Sequence, residues 1–247
     1  MRFNIHPAPS LNMVLNKLIR FPVQAFKALL TCLMFFPVYT IAQAVNQVKI
    51  FPTASLSAHP NSNLNIFSDI SHAGSLVSYD TSLINFYASV WQNENGNRLP
   101  DESASGIDGV GGIFTFSGLK LIPQQIVTIS PQPNNGFPNL RLDNLQNVTV
   151  QTGMLHVNNN LDFRNGHLIL NNVDVNVGRP GTGTLTGYSH TDFIVTGSGI
   201  TGGSLIRKVT GTPSALVFPV GTAPDTYTPA SVSYTGSTQT IKLRVAD

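Results

Sequence analysis

Residues Gly153 to Gly178 read Gly-Met-Leu-His-Val-Asn-Asn-Asn-Leu-Asp-Phe-Arg-Asn, then Gly-His-Leu-Ile-Leu-Asn-Asn-Val-Asp-Val-Asn-Val-Gly. Gly153, Leu155, Val157, Asn158 and Asn159 recur as Gly166, Leu168, Leu170, Asn171 and Asn172, each 13 residues later. Apolar residues alternate with polar ones at Leu155/Val157, Leu161/Phe163 and Val173/Val175/Val177. A period of two is that of a half-buried strand. Asn and Gly break the strands and supply tight turns. A short unit of strand and turn cannot bury its apolar face alone, but stacked copies can, so the pattern predicts a β-solenoid. Asn residues at one register are expected to stack as an amide ladder at about 4.8 Å.

Composition agrees with this outside the repeat. The 247 residues are 41% hydrophobic but only 11% charged, with 21 Gly and 16 Pro. Such a balance suits strands and turns, not surface helices, which use Lys and Glu heavily. Lys17, Arg20 and Lys27 form a basic lead. An apolar run from Ala28 to Ala42 follows, ending in the small-x-small sequence Ala42-Gln43-Ala44. That order predicts a secretory signal peptide over 1–44, holding the chain's only expected helix. The run is shorter than the ~20 residues a membrane-spanning helix needs, so no membrane span is expected after cleavage.

Residues 1–44 hold four basic residues (Arg2, Lys17, Arg20, Lys27), no acidic one, and Cys32, the only cysteine. The chain from Val45 would therefore carry 10 basic against 12 acidic residues, and no thiol. This argues against nucleic acid as a partner and against disulfide or cysteine-ligated metal chemistry.

Three regions follow the signal. Residues 45–115 read as an N-terminal β region or cap with a long loop from Gln92 to Gly112. Residues 116–200 read as the solenoid, with Arg179 to Gly187 looping out. Residues 201–247 read as C-terminal strands. The last, Thr240 to Val245, stops two residues before the end at Asp247 with no cap, so this region is expected to be incomplete and prone to edge-to-edge association.

The segments Gly166-His-Leu-Ile-Leu, Asp192-Phe-Ile-Val-Thr-Gly197, Gly203-Ser-Leu-Ile-Arg207, Phe218-Pro-Val-Gly-Thr222 and Tyr227-Thr-Pro-Ala230 follow one another in order. The series resembles β-rich, adhesin-like exported surface proteins carried by the type IX secretion system, whose usual C-terminal sorting domain this chain lacks. The resemblance implies a secreted or cell-surface location, the secretion machinery as a partner, and contact with extracellular polysaccharide or cell-surface matrix.

Candidate chemistry is sparse. Asp143, Asp162, Arg164 and Asp174 sit among the repeats, where carboxylates could serve as acid and base and Arg as a base in a carbohydrate-active β-helix enzyme. Asp162 and Asp174 are 12 residues apart, so stacking could bring them together. The competing reading is a set of solvent-facing polar positions, on which Asp162→Asn would leave stability nearly untouched. Asp101, Glu102 and Asp108 lie in the long loop and are the chain's candidate Ca²⁺ ligands, although their spacing fits no calcium motif. Otherwise no cofactor is expected.

Gly197 to Gly202 spells GxGxxG but leads into a strand, not the helix that a dinucleotide site requires. Ser189, His190 and Asp192 lie too close along one segment to form a triad. His156 and His167 fall at different positions of the repeat and should not stack as metal ligands. Phe86, Tyr87 and Trp91 could stack on a sugar, but alternation puts Phe86 and Tyr87 on opposite faces. The reading is an all-β protein: a right-handed, parallel β-helix-like solenoid with a strand-rich C-terminal part. Its expected role is structural and adhesin-like, with a polysaccharide lyase or hydrolase as the alternative.

Overall fold

The computed structural model describes residues 47–103, 109–119, 121–129, 136–178 and 181–246. Residues 1–44, read from the sequence as a signal peptide with Cys32 inside it, lie outside them. Among the described residues every regular element is a strand.

The strands coil into a parallel β-solenoid. One face is an eight-stranded sheet: Gln47–Ile50, Asp69–His72, Val90–Asn93, Gln124–Thr128, Val148–Thr152, Leu168–Leu170, Ile194–Val195 and Val220–Gly221. Eight stacked strands bound seven turns of coil. A second face begins with Ser55–Ala58 on Ser75–Ser78, and Ser75 bridges to Arg98. A third stacks Asn63–Ile66, Leu83–Phe86, Ile113–Ser117 and Phe137–Asp143. From Phe137 onward the second and third legs join. Leu155–Asn165 is one long strand whose start pairs with Val175–Val177 and whose end pairs with Thr184–Thr186.

Parallel pairing reaches back to Gln47, through residues read from the sequence as an N-terminal β region or cap. Thr184–Thr186, expected in a loop, is a strand.

The shortest turns are 20 residues, not 13, and others lengthen through inserted loops, as between Ile84 and Phe114 or Val175 and Leu205. Leu155 pairs with Val175, and Leu168 with Val148, each 20 apart. The 13-residue offset is about two thirds of a turn, so it carries Leu155 on one face to Leu168 on another. What repeats is a corner followed by a strand. Gly166 shows why such a corner selects glycine. Its φ is 84°, and a Cβ there would lie 2.0 Å from the Asn144 carbonyl oxygen.

The expected ladder of Asn158/Asn159 on Asn171/Asn172 therefore does not form. The Asn158 side chain is buried, with no hydrogen-bond partner among the described residues, and Asn171 bonds Gln151 at 2.9 Å instead. Amide ladders do form at the true turn length, as between Asn85 and Asn63 (2.7 Å) and between Asn144 and Gln124 (3.0 Å).

Inward positions follow the alternation read from the sequence. Leu155, Leu168 and Val175 are all buried. Phe86 and Trp91, considered for sugar stacking, are core residues. Trp91 packs edge-on against Phe86, Phe114 and Phe137 at 5.5, 5.9 and 5.6 Å. Tyr87 faces outward and stacks on Phe67 at 4.8 Å.

One inward row is polar: His72 lies in register with Asn93, and Asn93 with Thr128. Burial pushes the His72 imidazole down from 6.5 to about 4, although Asn93 and the Gly74 backbone lie close enough to favour its charged form. Neither ring nitrogen makes a hydrogen bond of normal geometry. Because the folded value lies below the unfolded one, the unfolded chain binds this proton first. Stability is full above pH 6.5 and falls as pH drops towards 4. The difference between 6.5 and about 4 corresponds to roughly 3 kcal/mol. Urea unfolding between pH 7 and 4 should show that loss, and His72→Leu should flatten this part of the slope. An unchanged slope in the variant would place the acid sensitivity elsewhere.

Candidate functional site

Outward positions of the third face carry the candidate residues. Asp162 sits on the long Leu155–Asn165 strand, in register with Arg141 one turn before and Thr186 one turn after. Its Oδ2 accepts from Arg141 Nε at 2.8 Å and from Arg164 Nε at 2.9 Å. Its Oδ1 accepts from the Thr186 hydroxyl at 2.9 Å. The carboxylate is nearly buried by these partners, its side chain 9% exposed against 57% for Arg164. Asp143, in register with Asn165, accepts from that amide at 2.6 Å.

Asp174 is elsewhere. It precedes Val175–Val177 and pairs with Lys242 of the last strand at 2.7 Å. Stacking does not bring it to Asp162, because a 12-residue separation is well short of a turn. Three of the four sequence candidates thus share a face, and the fourth ties the chain's last strand to the coil.

Beside Arg141 and Asp162 a groove of about 280 Å³ opens. Asn139 and Asn160 line it with them, and Asp80 and Val110 contribute from neighbouring segments. Its Val110–Gly111 wall is built by the long loop. Glu102 accepts from the Val110 and Gly111 N–H groups at 2.7 and 2.6 Å, and Asp101 from Gly109 N–H at 2.9 Å. Asn139 and Asn159 donate to the Val110 carbonyl at 2.7 and 2.9 Å. Asp101 and Glu102, considered as Ca²⁺ ligands, are here acceptors that fold the loop onto the coil. Asp108 lies outside the described residues. Among the described residues no three His, Cys, Asp or Glu side chains gather as a metal site would require.

Ser189, His190 and Asp192 make a corner. Ser189 Oγ and Thr191 Oγ1 donate to Asp192 Oδ2 at 2.8 and 2.7 Å, Gly166 N–H donates to Oδ1 at 2.7 Å, and His190 is exposed. Burial alone would raise the Asp192 carboxyl, but these hydrogen bonds outweigh it and hold the group below its usual value. In a catalytic triad the serine would bond the histidine. The GxGxxG loop offers carbonyls to a cation: Arg244 donates to Gly199, Ile200 and Thr201 oxygens. His156, on the Leu155–Asn165 strand, and His167, in the corner before Leu168–Leu170, are both buried, and His167 packs against Phe193 at 4.5 Å.

No protein-family model, curated protein or solved structure matches this chain. The site therefore stands on its geometry alone. Arg141, Asp80 and Asn139 were not legible as members of it. Arg141 and Asp162 are 21 residues apart, so only the turn length reveals the pair.

The same geometry reverses the expectation for Asp162→Asn. The substitution removes the charge from two charge-assisted hydrogen bonds, and Arg141 is itself partly buried. A loss of about 1–2 kcal/mol is expected. Arg164→Ala, on the exposed arm, should cost under about 0.5 kcal/mol. Urea midpoints of the two variants, compared with the parent, measure both.

Proposed function

We propose that this chain is a non-catalytic structural β-solenoid of the cell surface or extracellular space, adhesin-like and exported as cargo of the type IX kind. One observation carries the non-catalytic part. Each carboxylate considered for catalysis is spent joining segments of the coil: Asp162 to Arg141, Asp143 to Asn165, Asp174 to Lys242. A general acid or base must instead reach a proton on the substrate. The outer face, rich in amides and hydroxyls, suits extracellular polysaccharide or matrix as the partner. Export rests on the basic lead, apolar run and Ala42-x-Ala44 site. N-terminal sequencing of the exported protein should begin near Val45, and intact Met1 in the membrane fraction would count against it.

The groove beside Arg141 and Asp162 favours a second reading, a carbohydrate-active enzyme. Incubation with acidic and neutral polysaccharides separates the two. The structural reading expects no new reducing ends and no unsaturated product. Product that forms with the parent and vanishes with Asp162→Asn would establish the enzyme.

A further inference from the structure

The two ends of the coil are built differently. At the C-terminal end the pairing changes. Gln239–Leu243 lies antiparallel on Leu205–Val209, and Thr212–Phe218 pairs antiparallel with Ala230–Tyr234 outside the main sheets. Val232, Tyr234, Ile241 and Leu243 pack against the core there. Lys242 on Asp174 and Arg244 on the 199–201 carbonyls fix this closure. One side of the last strand is thus paired on the coil, while the strand itself remains the terminal one of its sheet.

The N-terminal end has no such closure among the described residues. Gln47–Ile50 and Asn63–Ile66 are terminal strands of their sheets, and Ser55–Ala58 pairs only with Ser75–Ser78. Val48, Leu56 and Leu64 stand in register with Ile70, Leu76 and Ile84, all three fully buried. They therefore belong to the inward rows. Yet Val48 is 40% and Leu56 37% exposed, because no described turn lies beyond them. Natural edges are guarded by charges, prolines or bulges. Here the three strands carry one charge, Lys49, and no proline.

We infer that this open end is covered by the same end of a second copy, giving a closed head-to-head dimer. A two-fold axis perpendicular to the coil reverses strand direction, so every new pair would be antiparallel. Gln47–Ile50 would meet its own counterpart, and Ser55–Ala58 would meet Asn63–Ile66 of the other copy. All three strands have four residues, so the edges match in length. Val48, Leu56 and Leu64 would then be buried between the coils. Head-to-tail stacking lacks this match, since the far end presents an antiparallel strand and the two-residue Val220–Gly221. The choice of a second copy over the chain's own leader rests on the export reading, in which two residues precede Gln47.

Sedimentation velocity on the 45–247 chain, which holds every described strand, tests the inference, with the full chain run beside it. The 45–247 chain should show twice its monomer mass at micromolar concentration. Leu56→Asp, at an exposed position, should halve that mass and leave the far-ultraviolet spectrum and melting cooperativity intact. Val48→Asp should do the same. A full chain that stays monomeric while 45–247 dimerises would support the inference and identify the leader as a competing cover. A monomeric 45–247 chain, a dimer that survives both substitutions, or assembly of unbounded size would overturn it. Retention of the leader on the exported protein would sink the export reading and the choice of a second copy over the leader, while the self-association of the 45–247 chain would stand as measured.

Discussion

Leu168→Asp should cost more than about 4 kcal/mol and leave little folded protein at 37 °C. Residue 168 lies on an inward row between Val148 and Ile194, and all three side chains are fully buried. The new carboxylate would meet aliphatic neighbours that donate no hydrogen bond. It must either stay charged without a partner or take up a proton at a raised pKa, and both routes cost stability. The chain cannot evade this by slipping register, because a one-residue shift turns every inward side chain of the strand outward. Total stabilities of such domains run to about 5–15 kcal/mol, so one substitution would consume a large share. Leu168→Ala, which creates a cavity without a charge, should cost less, about 2–5 kcal/mol. Urea unfolding of the three proteins ranks them. A Leu168→Asp midpoint equal to the parent's would mean that residue 168 faces solvent.

The inward direction of Leu168 was legible because a period of two survives any error in turn length. The identity of its neighbours was not. Alternation tells which residues share a face of one strand and is silent about which strand lies beneath. The Gly153/Gly166 similarity was real, since both glycines take positive φ at corners, but it equated two corners of one coil. Every partnership across turns inherited that error, including Asn158 with Asn171 and Asp162 with Asp174. Asp162 itself could be recognised as a polar position between Leu161 and Phe163. Its burial could not, because Arg141, Arg164 and Thr186 cover it from three positions, two of them on neighbouring turns. The roles of Asp101 and Glu102 were closed for a different reason. Their partners are backbone N–H groups of residues 109–111, which exist as donors only once the loop has taken its path.

Trp91→Ala should cost about 3–5 kcal/mol, the second large effect. The indole is fully buried where the coil is widest in aromatics, against Phe86, Phe114, Phe116 and Phe137. Two physical contributions are lost together: the burial of the ring, and edge-to-face contacts worth about 0.5–1.5 kcal/mol each beyond area. A third follows from Trp91 Nε1–H, which donates to Asn93 Oδ1 at 2.9 Å. Asn97 still donates to that oxygen at 3.1 Å, so the acceptor is not orphaned and this part of the cost is small. Trp91→Phe keeps most of the apolar volume and should cost only about 1–2 kcal/mol. Trp91 is the chain's single tryptophan, so fluorescence of the parent reports this one environment. Emission should be blue-shifted when folded, unchanged by added saccharide, and red-shifted only in the cooperative unfolding transition. Circular dichroism follows the variants, which lack the fluorophore. Saccharide-dependent emission in the folded parent, or a Trp91→Ala cost below about 1 kcal/mol, would put the indole at the surface and return it to the list of sugar-stacking residues.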